Sequence, residues 1–215
     1  MIQASSNKVI IRVKSKYIEQ FGDLAIRAAL QQGTTVHLED FCNIRGEIIS
    51  LPRAVHNYGR HEGFTTKDLK VGDTAIFSFH VIYDHFIKEP DEPQVHKNRI
   101  SYHGQEFWSC DITHLFGVIR GKDVLMVNGY VMASPFLESK IITQPTDAKV
   151  CTHSTVLNIG NPKEGRQDLK LKRGDTIYFN PIHAQKYQIN NIPFIILQQH
   201  QILGKQKVPK LSKVN

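Results

Sequence analysis

Cysteine is scarce in this chain. Its 215 residues hold three, Cys42, Cys110 and Cys151, widely spaced and without a CxxC pair. An odd, scattered set excludes a disulfide framework and favours a reducing compartment. Long hydrophobic runs are also missing: no stretch of about 18 apolar residues is present to cross a membrane as a helix. Met1-Ile2-Gln3-Ala4-Ser5-Ser6 lacks a basic region followed by an apolar core, so no secretory signal is expected. There is no HExxH and no GxGxxG, which removes the familiar signatures of zinc hydrolysis and dinucleotide binding. The chain has 11 histidines, and His80, His85, His96 and His103 fall in one region. They form no close pairs of the kind that tetrahedral zinc needs, so no metal and no cofactor are expected. Cys110 lies near His114, yet that spacing carries no nucleophile signature. Beside Phe107-Trp108, Cys110 is expected to be a buried thiol, and no enzyme is expected.

What is present is a basic balance, with 27 Lys and Arg against 20 Asp and Glu. Part of the excess sits in residues 206–215, a basic tail with few large apolar groups. Elsewhere the two signs alternate without a cationic stripe, so a nucleic-acid partner is disfavoured.

A repeat underlies the rest. Leu69-Lys70-Val71-Gly72-Asp73-Thr74-Ala75-Ile76-Phe77 and Leu171-Lys172-Arg173-Gly174-Asp175-Thr176-Ile177-Tyr178-Phe179 both read Leu-Lys-x-Gly-Asp-Thr-x-x-Phe. Gly accepts positive φ and Asp bonds to nearby backbone, so each Gly-Asp pair predicts a tight turn entering a strand. Three flanking blocks keep the same order. Lys8–Val13 matches Gly129–Ala133, and Arg45–Ser50 matches Ser154–Gly160. Downstream, Glu106–Ile112 matches Ile195–Ile202. Spacings between blocks vary, as loops absorb insertions.

Short runs rich in Val, Ile, Phe and Tyr, separated by Gly, Pro, Asn and Asp, predict an all-β protein. The polar turn Gly121-Lys122-Asp123 divides it into a first domain over 7–120 and a second over 123–205. The first carries a long loop over 17–43 and an insertion over 84–98, whose prolines and mixed charges suit an exposed excursion. Residues 18–30 have helix-like apolar spacing, weakened by Gly22.

These blocks resemble the GroES-type co-chaperonins. The first copy offers Val9-Ile10-Ile11, Arg45-Gly46-Glu47-Ile48-Ile49, Val71-Gly72-Asp73 with Phe77, and Asp111-Ile112. The second offers Tyr130-Val131-Met132, Val156–Asn161, Arg173-Gly174-Asp175 with Phe179, and Gln201-Ile202-Leu203. The resemblance implies two tandem GroES-like β-barrel domains with long flexible loops. It implies a non-catalytic lid that caps a GroEL-type chaperonin ring, enclosing substrate proteins indirectly and assisting ATP-dependent folding. It also implies a homo-oligomer in the cytoplasm, bacterial or, for a phage-encoded protein, the host's. Such lids dock through a short apolar triplet in a mobile loop. In the second copy the triplet position falls on Ile141, Ile142 and Thr143; a core strand is the other reading of those isoleucines. In the first it falls on Val36, His37 and Leu38, with Leu24-Ala25-Ile26 or simple packing as alternatives. The altered triplets leave room for a second function, an assembly module that kept the barrel without the capping role.

Overall fold

A computed structural model describes residues 2–15, 43–82, 97–136, 152–163, 169–189 and 192–206. The helix-like stretch 18–30 and most of the insertion lie outside them. The chain divides into two compact units, 1–124 and 125–215.

The first sheet contains β1 (Lys8–Arg12), β2 (Arg45–Ser50), β3 (Thr74–Phe77), β4 (Arg99–Tyr102), β5 (Gln105–Asp111), β6 (Leu115–Arg120) and β7 (Asp123–Met126). The second contains β8 (Tyr130–Ala133), β9 (Thr152–Ile159), β10 (Thr176–Phe179), β11 (Gln185–Ile189), β12 (Ile192–Gln198) and β13 (Ile202–Gln206). Their orders are β4-β5-β1-β2-β3-β6-β7 and β11-β12-β8-β9-β10-β13. Setting β7 aside, the two orders are the same, strand for strand. The described ladders are antiparallel, so both units are all-β.

The registers agree residue by residue. Ile11 faces Ile48 as Ala133 faces Val156, with a bulge just before each pair. Phe77 faces Leu115 as Phe179 faces Ile202, again beside a bulge. In the second unit Val131, Ala133, Val156, Ile177, Phe179, Ile195, Leu197 and Ile202 form one buried cluster. Their counterparts in the first unit, Val9, Ile11, Ile48, Ala75, Phe77, Trp108, Cys110 and Leu115, are all buried. Alternation along each strand sends these side chains to one face, and burying them drives each fold.

The Gly-Asp turns are superposable in detail. Gly72 and Gly174 both adopt φ 90°. Their amides donate to Ile48 O and Val156 O, each at 2.9 Å, and the Ile48 and Val156 amides donate to Asp73 O and Asp175 O, each at 2.9 Å. The Asp73 carboxylate accepts from the Lys70 amide at 2.9 Å and that of Asp175 from Lys172 at 3.0 Å. Each turn thereby ties the start of one strand to the middle of its neighbour.

One sequence match shifts. Asp111 pairs with Lys8, and Gln198 with Tyr130, so Asp111 corresponds to Gln198 and Leu115 to Ile202. Glu106–Ile112 is therefore equivalent to residues 193–199, and the first unit closes on β6, not on Asp111-Ile112. The cause is a 3-10 turn between the last two strands, Ile112–His114 in one unit and Gln199–Gln201 in the other. Its apolar residue in the first unit, Ile112, imitates the start of a strand.

Candidate functional site

The connections proposed to dock a partner leave the two sheets at the same place, between β1 and β2 and between β8 and β9. Val36, His37, Leu38, Ile141, Ile142 and Thr143 lie outside the described residues. The structure defines the stems from which those segments start and to which they return.

In the first stem, Ile44 is buried and its carbonyl accepts from the Phe77 amide at 3.0 Å. Asn43 turns its side-chain oxygen onto the Arg45 amide at 3.1 Å. β1 and β2 run so close that a Cβ on Gly46 would meet Arg12 O at 2.9 Å and Val13 Cγ2 at 3.0 Å. Arg12 and Glu47 pair across the strands at 2.5 Å. Both are about half exposed, so that pair adds little.

In the second stem Ser154 stands where the first unit has Gly46, and hydroxyls replace close backbone contact. Ser154 donates to Ser134 O, the two hydroxyl oxygens lie 3.0 Å apart, and Ser134 Oγ accepts from the Thr155 amide at 3.2 Å. The Ser134 amide donates to Thr155 O at 2.8 Å. Phe136 then packs edge-on against buried Phe179, with ring centroids 5.4 Å apart, and Lys186 Nζ sits 5.3 Å over the Phe136 ring. Residues 134–136 are thus anchored to the core through Phe136. Each stem is thus fixed to its own sheet by hydrogen bonds and packing.

Two charged devices brace the sheets from which the stems rise. On the turn side, Arg120 grips Asp73 through Nε at 2.8 Å and an Nη at 2.6 Å, and also donates to Asp68 O at 3.0 Å. The Arg120 hydrogen bond outweighs the opposing effect of burial and holds the Asp73 carboxyl below its ordinary value. The second unit repeats the chemistry with Lys205, which reaches the Asp175 carboxylate at 3.4 Å and also Lys170 O, the counterpart of Asp68 O.

The second device is Asp111, at the end of β5. It is buried and accepts from Lys8 Nζ at 3.2 Å, Arg60 at 2.8 Å, His61 Nε2 at 3.0 Å, the Thr113 amide at 3.1 Å and Thr113 Oγ1 at 2.8 Å. Burial pushes its pKa up. The bonds from Thr113 and His61 and the Lys8 charge outweigh that and hold the carboxyl well below the usual range. In the second unit Gln198 takes the place with a neutral amide. It accepts from Lys163 at 3.0 Å and donates to Tyr130 Oη at 2.9 Å, and Gln198 and Gln201 cap the turn reciprocally.

No nucleophile pair forms between Cys110 and His114. Cys110 is fully buried, its Sγ donates to Asp111 O at 3.4 Å, and burial raises its pKa far above the ordinary thiol value. His114 is shifted down by burial, against the pull of Asp111. Among the described residues, no three His, Cys, Asp or Glu side chains gather as a metal set, and no helix is long and apolar enough to cross a membrane.

A six-stranded antiparallel unit with a Gly-Asp turn between its second and third strands, and its major connection between the first and second, is the architecture of the GroES-type co-chaperonins. Residues 123–206 match the family model described as Chaperonin 10 Kd subunit, and the second unit belongs to that family. No curated protein matches the chain. The family consists of non-enzymatic chaperonin partners that oligomerise.

Proposed function

We propose that this protein is a tandem co-chaperonin that caps a GroEL-type chaperonin in the cytoplasm and assists ATP-dependent folding. It does so without catalysis of its own and as a homo-oligomer. The observation that carries this reading is the match of residues 123–206 to the chaperonin 10 kDa subunit family. The shared strand order supports it by making the first unit a diverged copy of the second, with its own connection at the same stem. Both connections dock through their apolar residues, Val36 and Leu38 with His37 in one and Ile141 and Ile142 with Thr143 in the other. A short apolar docking segment binds weakly alone, because ordering consumes much of the contact energy. Several such segments on one oligomer raise the effective concentration and restore affinity while keeping each contact releasable.

The test is co-sedimentation with a GroEL-type chaperonin in ATP or ADP, alongside refolding of a chaperonin-dependent substrate. The wild-type chain is expected to form a nucleotide-dependent complex and raise the refolded yield. Ile141→Asp with Ile142→Asp is expected to weaken the complex at least tenfold, and Val36→Asp with Leu38→Asp to weaken it further. A wild-type chain that neither binds nor assists refolding overturns the proposal.

A further inference from the structure

The chain between β2 and β3 is a built loop, although much of it faces water. Pro52, Phe64 and Leu69 are its buried footings. Asn7 pins its middle: the Asn7 side-chain oxygen accepts from the His56 amide at 2.7 Å, and its nitrogen donates to His56 O at 3.4 Å. Asn57 Oδ1 accepts from the Gly63 amide at 2.6 Å and closes the tip. Arg60 and His61 fasten the far side to Asp111. Between these fixings the loop holds Tyr58 out, 69% exposed, and the turn after it uses Gly59, whose φ is 57°. The Tyr58 ring stands edge-on to His56, with centroids 6.2 Å apart.

Cations accompany that ring. They come from separate stretches of chain, so no basic run announces them in the sequence. Lys8 of β1 and Arg60 of the loop meet on one oxygen of Asp111, which sets the ammonium and the guanidinium side by side. The Arg60 side chain is nevertheless 66% exposed, whereas the carboxylate it holds is buried. Arg53 and His56 are exposed on the same loop, and Glu62 is the one carboxylate in residues 51–67. The chain as a whole carries a net charge of +7. Between 53 and 60 no second large apolar side chain is exposed, unlike the apolar centre of a protein–protein contact. One aromatic face flanked by cations fits an unpaired base and its neighbouring phosphates, the base stacking on the ring and the backbone charge pairing with Lys and Arg. A base still stacked and paired in a duplex does not reach such a ring.

We infer that this rim of the first unit binds single-stranded nucleic acid, with one base stacked on Tyr58 and the flanking phosphates held by Arg53, Arg60 and Lys8. Asp111 is the positioning residue beneath, fixing where Lys8 and Arg60 stand. Three phosphates neutralised on a single strand make the binding constant fall with salt at a logarithmic slope of about −2. Stacking makes the site tolerant of sequence, because every base has a π face. The inference goes beyond the chaperonin reading and does not depend on it.

The experiment uses the full chain and fluorescence anisotropy with a labelled oligothymidylate of about 12 nucleotides, titrated over a series of KCl concentrations. Tyr58→Ala is expected to weaken binding about fivefold or more while leaving the salt slope unchanged, and Tyr58→Phe to bind like wild type. Arg53→Gln is expected to reduce the steepness of the slope by about 0.7. Both residues are exposed, so both variants are expected to keep the wild-type far-ultraviolet circular dichroism and the wild-type co-sedimentation with a chaperonin. A chain ending at Gln206 is expected to keep its dependence on Tyr58, which separates this rim from the basic tail. A wild-type chain that does not bind the oligonucleotide, binding that Tyr58→Ala leaves intact, or binding that disappears with the tail overturns the inference. So does a duplex or polyglutamate that competes as well as the single strand, since neither offers an unpaired base.

Discussion

Gly72 offers a clean test of the turn that both units share, because its environment isolates one physical cause. A Cβ built there meets nothing within 4 Å, so Gly72→Ala meets no steric clash. Its φ of 90° is nevertheless a conformation that side chains with a Cβ resist. The cost for Ala is about 1–2 kcal/mol. Relaxation is restricted, since the Gly72 amide is bound to Ile48 O and Asp73 is held by Lys70 and Arg120. A domain of this size loses roughly 3–6 °C of Tm per kcal/mol, so the first unit's transition is expected to fall by roughly 3–12 °C. Gly72→Asn is expected to lose about half as much, because Asn enters the left-handed region more readily. Gly204→Ala is the control, with nothing within 4 Å and no positive φ. It is expected to be neutral or slightly stabilising. Urea denaturation and scanning calorimetry of the three variants decide the matter. A Gly72→Ala protein as stable as Gly204→Ala, or less stable Asn than Ala at position 72, refutes the conformational argument.

Gly160→Ala probes the opposite cause. Its Cβ would lie 2.7 Å from Val127 N and 2.8 Å from Met126 C, backbone atoms that cannot swing aside. Hydrogen bonds from Gly160 N to Tyr130 O and from Gln199 to Gly160 O oppose a shift. Destabilisation of about 2–3 kcal/mol is expected in urea titrations of the second unit. Asp111 sets an acid limit. A carboxyl whose folded pKa lies below its unfolded value stabilises the fold above the unfolded pKa of about 4, and loses that contribution as pH falls towards the folded value. The urea midpoint of the first unit should therefore drop between about pH 5 and pH 3, and Asp111→Asn should flatten that slope. An unaltered slope in Asp111→Asn would show that other carboxylates govern it.

The turns were legible because their chemistry is local: Gly72-Asp73 and Gly174-Asp175 declare both the positive φ and the acceptor within two residues. The strand order followed from blocks kept in register on either side of them. The closing strand was misplaced because Ile112 continues the apolar run of β5, although its chain leaves the sheet in a 3-10 turn. Asp111 followed by Ile-Thr was the available signal, since an Asp two residues before Thr113 is positioned to cap that turn. Arg120 and Lys205 were not found because they stand at different steps of equivalent strands. No alignment of one copy on the other brings them together, yet both reach the turn aspartate. The Asp111 assembly was invisible for a related reason: Lys8, Arg60 and His61 meet it across 50 to 103 positions of chain.

The stems carry a consequence for how such a chain can change over generations. With the strand ends pinned by Ile44 and Phe77 in one unit and by Ser134, Ser154 and Phe136 in the other, the sheet does not depend on the number of residues strung between them. The first connection is close to twice the length of the second. For a loop closed between fixed ends, such a difference alters the cost by only about 0.5 kcal/mol. Insertions and deletions there are nearly invisible to selection on folding, which leaves the length and sequence of each connection free to be shaped by whatever it contacts. Two units with the same strand order can thus carry connections of different reach without either sheet being redesigned.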